Sequence, residues 1–191
     1  MGQSKLVTGN IPMRFSQGFF ILLAAAFAGG CATSSRLSSD FSGNPVSAGW
    51  KSETFSEKGA ECRWAGSENG AVDPHLLSRQ GQWTSPQIAL ASSASGYRIS
   101  FRFKATEPGK WSCTFFNEDG EKLPGAQSGT IQRSTLWSKE TVTVDIPEDA
   151  THMRVMFSSL EDGIVSIDDV SVHPVKRRKH RESIAQSTSH M

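Results

Sequence analysis

The sequence predicts an all-β domain, a sandwich or a barrel. Apolar and polar residues alternate over Tyr97–Lys104 and again over Lys110–Asn117, as they do along strands with one face on a core and one on solvent. Beyond residue 30 no apolar repeat near 3.6 residues persists, so long amphipathic helices are not expected. Turn-forming residues separate the runs at intervals of about eight to twelve residues, which is typical of all-β domains.

Ten runs are predicted as strands on this basis. In chain order they are Asp40–Phe41, Lys51–Phe55, Ala60–Trp64, His75–Arg79, Gln82–Leu90, Tyr97–Lys104, Lys110–Asn117, Thr141–Ile146, His152–Phe157 and Ile164–Val172. Gln80–Gly81 is predicted as a turn and Glu118–Gly120 as a hairpin turn. Pro86 is expected to interrupt its run, because proline has no N–H to donate to a strand ladder.

The last strand changes phase in its middle. Ile167 has one parity and Val170 the other, so an extra residue at a β-bulge is predicted between them, where Asp168 and Asp169 lie. Two adjacent carboxylates repel each other unless a positive group or N–H donors lie nearby. Two interpretations remain: a solvated strand end, or an Asp that ligates a structural Ca²⁺.

Length and charge limit the partners. A chain of 191 residues suits one domain with appendages, and a formal net charge of +1 provides no overall field that would attract nucleic acid. The basic run 176–181 is local and belongs to a tail, 174–191, that we expect to be disordered. We expect the tail to be solvated; contact with anionic lipid head groups or polysaccharide is the alternative.

The N-terminus is typical of an exported protein. The apolar run 19–30 follows Lys5 and Arg14 and has the length of a signal-peptide core. It ends in small residues directly before Cys31, which resembles the bacterial lipoprotein lipobox. We expect 1–30 to be the signal peptide, Cys31 to be lipidated, and 31–39 to form a tether; ordinary cleavage nearby is the alternative, and translation could start at Met13. Ala32 after the cysteine favours the outer membrane, so an outer-membrane lipoprotein of the cell envelope is expected.

Export also affects the two remaining cysteines. Cys62 and Cys113 would form an even pair in an oxidising compartment, and both lie in predicted strands. A disulfide and two buried free thiols are both compatible with the sequence.

Four sequence pieces then stand in a familiar order. They are Gly81–Pro86, Tyr97–Phe103, Trp137 before an alternating strand, and Ile167–Val172. This arrangement resembles the galactose-binding-like superfamily of β-sandwich jelly rolls, which includes many carbohydrate-binding modules. The resemblance implies a two-sheet antiparallel sandwich over 40–173.

The resemblance also implies a structural calcium site and a non-catalytic role. In that family an early acidic group and a late Asp often hold Ca²⁺, and these positions are matched here by Asp40 and by Asp168 or Asp169. No His-Glu-x-x-His or Gly-x-Ser-x-Gly motif is present, so we expect no catalytic activity. The expected function is carbohydrate binding at the cell surface by a monomer; a structural or protein-interaction lipoprotein without a glycan ligand is the alternative.

Tryptophan and arginine supply the candidate ligand contacts. Trp50, Trp83 and Trp137 occupy positions typical of core plugs, whereas Trp64 and Trp111 could instead stack on a sugar. Arg98, Arg102 and Arg154 alternate outward and are predicted to share one sheet face. Nearby on that face we expect Ser112, Thr114 and Met156. An arginine row is usually solvated, but on a concave face it would favour acidic or sulfated glycans, since guanidinium pairs with carboxylate and sulfate.

Overall fold

The computed structural model describes residues 35–56, 58–66 and 73–176, except for the side chains of residues 160 and 161. Within these ranges the chain forms ten strands and no helix, so none of its described elements could cross a membrane as a helix. The strands are β1 (Leu37–Ser39), β2 (Lys51–Thr54), β3 (Glu61–Ala65), β4 (His75–Thr84), β5 (Ile88–Ala89), β6 (Ala94–Ala105), β7 (Gly109–Phe116), β8 (Gln127–Ile131), β9 (Ser134–Asp145) and β10 (His152–Lys176).

These strands confirm the all-β prediction, and they extend beyond both ends of the predicted domain, 40–173. Leu37–Ser39 pairs with Val172–Val170, so part of the expected tether is a strand. At the other end β10 continues to Lys176, past the predicted limit of residue 173. The signal peptide, the lipidation of Cys31, residues 31–34 of the tether and most of the basic tail lie outside the described residues.

Strand β10 belongs to both layers of the sandwich. Its first part, His152–Ser159, pairs with β7, and its second part, from Val165 onward, pairs with β6. Strand β4 accompanies it through both layers, and all these pairings are antiparallel. The first sheet therefore contains β8, β7, the start of β10, the end of β4, and β2. The second sheet contains β9, β6, the end of β10, the start of β4, and β3.

Two irregularities interrupt the pairing of β10, and the first lies where the strand passes between the layers. Between the pairs Ser159–Gly81 and Ile164–Arg79, four residues of β10 stand opposite Gln80 alone, whose φ is +47°. The predicted turn at Gln80–Gly81 is therefore wrong, because β4 continues through an irregular pairing. The second irregularity, where Asp169 and Val170 face one residue of β6, is the bulge predicted from the change of phase.

The core is filled by the inward residues of both sheets. On β6, Tyr97, Ile99 and Phe101 are fully buried, as the alternation predicts. Phe157 of β10 packs edge-on against Phe101 with ring centroids 4.8 Å apart. Trp50 and Trp83 are buried as predicted, at 1% and 3% exposure.

Both cysteines of the described domain are free thiols. Cys113 is fully buried, and burial raises the pKa of its thiol to about 12. Cys62 is partly buried and donates a hydrogen bond from Sγ to the carbonyl oxygen of Glu53 at 3.3 Å. The structure thus favours the free-thiol alternative over a disulfide.

The close approach of β2 to β4 at Gly81 gives a stability prediction. A Cβ at Gly81 would lie 2.7 Å from the Glu53 carbonyl oxygen, which is fixed in the β2–β4 ladder. Gly81→Ala should therefore lower the free energy of unfolding by about 1–3 kcal/mol, as overpacking does. Urea denaturation checks this, with Gly43→Ala as the matched control, since a Cβ there meets nothing within 4 Å. Equal stability of the two variants would contradict the prediction.

Candidate functional site

The outward side of the first sheet carries a contiguous set of polar and apolar side chains. Strand pairing places Arg154 opposite Thr114, Met156 opposite Ser112, and Ser158 opposite both Lys110 and Gln82. Opposed residues in an antiparallel pair share a face, so these side chains form one surface. We call this surface the Arg154 face, and it comprises Gln82, Lys110, Ser112, Thr114, Phe116, Arg154, Met156 and Ser158.

Among the described residues, no carboxylate neutralises the guanidinium group of Arg154. Its Cζ lies 5.4 Å from the centroid of the Phe116 ring, in cation–π contact. Its Nη2 donates a long hydrogen bond of 3.4 Å to Oε1 of Gln87. None of the carboxylates in the described residues lies within ion-pair distance of it. Most of its five N–H donors therefore remain available to a ligand.

The hydroxyl groups of the Arg154 face are recessed. Thr114 and Ser158 point away from the core, yet they are only 7% and 8% exposed. Small outward residues can be buried in this way only if longer neighbours cover them. Half-buried Phe116, Arg154 and Met156 are such neighbours. On this face, apolar and cationic side chains therefore project above the hydroxyl groups.

The second sheet carries a different cluster on its outward side. Trp137 lies 4.9 Å from Cζ of Arg102 and 4.7 Å from Nζ of Lys104, measured to the ring centroid. The His75 ring meets it edge-on at 5.6 Å between centroids. We call these four residues the Trp137 cluster. The prediction of Trp137 as a core plug is wrong, because Ser138 faces inward opposite Phe103 and its neighbour Trp137 therefore faces outward.

Arg102 supplies the positive charge between the paired carboxylates of β10. Its Nη1 donates to Oδ2 of Asp169 at 3.1 Å and to Oδ2 of Asp168 at 3.4 Å, and its Nη2 lies 3.6 Å from Oδ2 of Asp73. The hydrogen bond to Asp169 raises the pKa of Arg102. Asp168 is 3% exposed, so the solvated strand end is wrong for that residue, although Asp169 is exposed.

These residues do not fit a calcium cage. Both β10 carboxylates are engaged by Arg102, and the Asp40 carboxylate accepts hydrogen bonds from the backbone N–H and the hydroxyl of Ser42. Within the described ranges no group of three or more His, Cys, Asp or Glu is placed to hold a metal ion. Calcium binding stays a prediction from the resemblance.

Burial of Asp168 changes its titration. Burial raises the pKa of Asp168 from 3.8 to about 6, and repulsion by Asp169 and Asp73 acts in the same direction. The backbone N–H of Asp169, which donates to Oδ1 of Asp168 at 2.7 Å, and the Arg102 guanidinium lower it in part. The ion pair with Arg102 therefore offsets only part of the free energy that the Asp168 carboxylate loses when it is removed from water.

The other residues that were predicted to contact a ligand are Trp111, Trp64 and Arg98, and the structure does not bring them together. Trp111 is 7% exposed and donates from Nε1 to Oε1 of Glu140 at 3.1 Å, so it is a core residue. Trp64 is half-buried, packs against the core, and donates from Nε1 to the Phe41 carbonyl oxygen at 3.0 Å. Arg98 is exposed on the second sheet.

The prediction that the three arginines share one face is therefore wrong. Arg98 and Arg102 lie on β6, which pairs with the second part of β10, whereas Arg154 lies on the first part. The companions expected for them, Ser112, Thr114 and Met156, accompany Arg154 alone. Sequence parity missed the outward Trp137 and His75 because it could not assign their strands to a sheet.

No protein-family model and no curated protein sequence matches this chain. Solved structures do match. The enzymatically active domain of tailspike protein 4 from bacteriophage CBA120 matches with a TM-score of 0.57 and 15% identity, over 71% of this chain and 20% of that one. The CBM22-1–GH10 modules of Clostridium thermocellum xylanase 10B, complexed with xylohexaose, match with a TM-score of 0.53 and 13% identity, over 73% and 28%.

A third match has nearly the same length as the sandwich. The CBM22-1 xylan-binding domain of Paenibacillus barcinonensis Xyn10C matches with a TM-score of 0.50 and 13% identity, over 74% of this chain and 95% of that domain. The chain has the β-sandwich fold of that domain. By contrast, it spans only about a fifth and just over a quarter of the first two chains. At these identities the likeness shows the fold, and the jelly-roll sandwich expected from the sequence is confirmed.

The raised pKa of Asp168 gives a pH prediction. A carboxyl whose folded pKa is about 6, against 3.8, stabilises the fold when protonated; that stability is complete below about pH 3.8 and is lost as pH rises through about 6. The free energy of unfolding of Asp168→Asn, relative to that of the parent, should therefore rise by about 1–3 kcal/mol between pH 4 and pH 7.5. Urea denaturation across this range measures the difference, with Asp119→Asn in an exposed turn as control. A difference that does not change with pH would contradict this assignment.

Proposed function

We propose that this chain is a carbohydrate-binding protein whose ligand lies on the Arg154 face. The observation that carries the proposal is the unneutralised guanidinium of Arg154, beside recessed hydroxyls, on the outward side of a sandwich. The likeness to the fold of a xylan-binding domain supports the proposal without naming a ligand.

The chemistry of the Arg154 face suits a sugar. A sugar presents hydroxyls that both donate and accept, together with patches of C–H groups. Arg154 donates only, the hydroxyls of Ser112 and Thr114 do both, and Phe116 and Met156 offer apolar contact. A site with a few convergent polar groups among apolar side chains is typical of small-molecule recognition.

The charge of the face favours an acidic glycan. Arg154 and the exposed Lys110 are its two cations, and no outward residue of β7 or of residues 152–158 is acidic. The Glu53 carboxylate, which accepts a hydrogen bond from Nε2 of Gln82 at 2.9 Å, lies at the β2 edge of the same sheet. A guanidinium group pairs with a carboxylate or sulfate through two parallel hydrogen bonds, which a neutral hydroxyl cannot match. A uronate or sulfated polysaccharide is therefore the proposed ligand class.

We infer binding without bond cleavage. Glycoside hydrolysis uses two carboxyl groups on either side of the scissile bond. The strands that form the centre of the Arg154 face offer hydroxyl, thioether, aromatic, imidazole and cationic side chains instead.

The proposed location rests on the sequence. The apolar run 19–30 and Cys31 support export and a lipid anchor at the cell envelope, with Ala32 favouring the outer membrane. An anchored binding domain of this kind would hold polysaccharide at the cell surface. The competing role, a protein-interaction lipoprotein, requires no glycan contact at all.

Replacing Arg154 tests the proposal. Arg154→Ala should weaken binding to polygalacturonate or to a sulfated polysaccharide by about tenfold or more, since a charge-assisted contact is lost. Affinity electrophoresis of the full chain carrying Cys31→Ser measures this. Arg98→Ala is the matched control, because it removes an equally charged, exposed residue of the second sheet.

Two results would contradict the proposal. One is equal weakening by Arg98→Ala and Arg154→Ala, which would indicate a general charge effect. The other is that the parent chain binds no polysaccharide on a broad glycan array and co-purifies with an envelope protein, which would favour the protein-interaction role.

A further inference from the structure

Trp137 differs from the other four tryptophans in its indole N–H. Trp64, Trp83 and Trp111 each donate from Nε1 to an oxygen within the domain. Nε1 of Trp50 is buried without a partner. Nε1 of Trp137 is neither bonded within the described residues nor among their buried unpartnered atoms, so this donor faces solvent.

The Trp137 ring is held in a defined orientation before any ligand arrives. Lys104 and Arg102 contact it through cation–π interactions at 4.7 and 4.9 Å, and His75 meets it edge-on. Arg102 is itself fixed by its ion pairs with three carboxylates. A ring that is already oriented loses little conformational freedom on binding, which favours its use as a stacking surface.

Hydrogen-bond donors and acceptors both surround the Trp137 ring. Nδ1 of His75 lies 2.7 Å from the carbonyl oxygen of Asp73, so Nδ1 is the donor of this bond, which leaves Nε2 to face a ligand. The Asp73 carboxylate is 46% exposed and also accepts. The ammonium group of Lys104 has no carboxylate partner in the described ranges and donates, as does the indole N–H of Trp137.

We propose that the Trp137 cluster is a second saccharide-binding site, in which one sugar ring stacks on Trp137 and its hydroxyls meet Lys104, His75 and Asp73. Apolar sugar C–H groups match an aromatic face, and the mixed donors and acceptors match hydroxyls. This site goes beyond the proposed function, because it lies on the other sheet.

Two sites on opposite sheets would make the chain bivalent. A polymer with repeated sugar units could be held at both faces, or two polymer strands could be joined by one protein molecule. In either case the second contact forms at a high effective concentration, so retention on a polysaccharide would exceed the affinity of either site. Occupied membrane-anchored copies would then form cross-links in the surrounding glycan.

The test uses the full chain carrying Cys31→Ser with hexagalacturonate and xylohexaose as probes. Calorimetry gives the number of sites, and acrylamide quenching of tryptophan emission reports on Trp137. For at least one probe we expect two sites in the parent chain and one in each of the single variants Trp137→Ala and Arg154→Ala. Protection from quenching should occur in the parent and in Arg154→Ala and be lost in Trp137→Ala. Two further variants are Trp137→Phe, which keeps an aromatic ring, and Lys104→Ala. Each should bind at least threefold more weakly at this site.

The outcomes separate this inference from the proposed function. If Trp137→Ala leaves the number of sites and the affinity unchanged while Arg154→Ala removes binding, the second site is overturned and the first stands. If Arg154→Ala changes nothing while Trp137→Ala removes all binding, the Arg154 face is overturned and the Trp137 site stands. Absence of binding by the parent chain to both probes counts against both.

Discussion

The sandwich depends on one strand that is shared by both of its layers. Strand β10 pairs first with β7 and then with β6, and β4 follows it on the other side. Four residues of β10 opposite Gln80 alone take up the change of layer without ending the strand. Because side chains alternate along each part, the outward residues of His152–Ser159 and those of Val165–Lys176 lie on different faces. The two candidate sites follow from this division.

Burial and pairing decide which charged groups can act on a ligand. Arg102 and Arg154 both point outward from β-strands, but Arg102 is engaged by three carboxylates and Arg154 by a phenyl ring and an amide. Arg102 therefore contributes chiefly by fixing Trp137 and offsetting the charge of buried Asp168. Arg154 retains unsatisfied donors at the surface. The same residue type thus has a structural role on one sheet and, in our proposal, a recognition role on the other.

Much of the fold could be predicted from local pattern. The alternation of Tyr97–Phe103 predicted β6, and the change of parity between Ile167 and Val170 predicted the bulge at Asp169. Trp50 and Trp83 were correctly predicted in the core. Strand β8 was missed, because its residues before Ile131 are small or polar and give no apolar alternation.

The site was harder to predict, because parity gives the face of a strand but not the sheet to which the strand belongs. Arg98, Arg102 and Arg154 all alternate outward, yet β10 changes layer between Arg154 and the residues that pair with β6. Trp137 was placed in the core by its residue type, whereas the register of Ser138 with Phe103 turns it outward. The Asp168–Arg102 pair joins residues 66 positions apart, which only the pairing of β10 with β6 brings together.

Mapping of backbone amide chemical shifts during a titration with hexagalacturonate would test most directly whether the sheet faces bind carbohydrate. Saturable shifts should concentrate on β7 and on residues 152–158, with a second group around Trp137 and Lys104. Shifts confined to the turns at 43–49 and 91–94, or no saturable shifts with this or any other glycan, would contradict binding at the sheet faces.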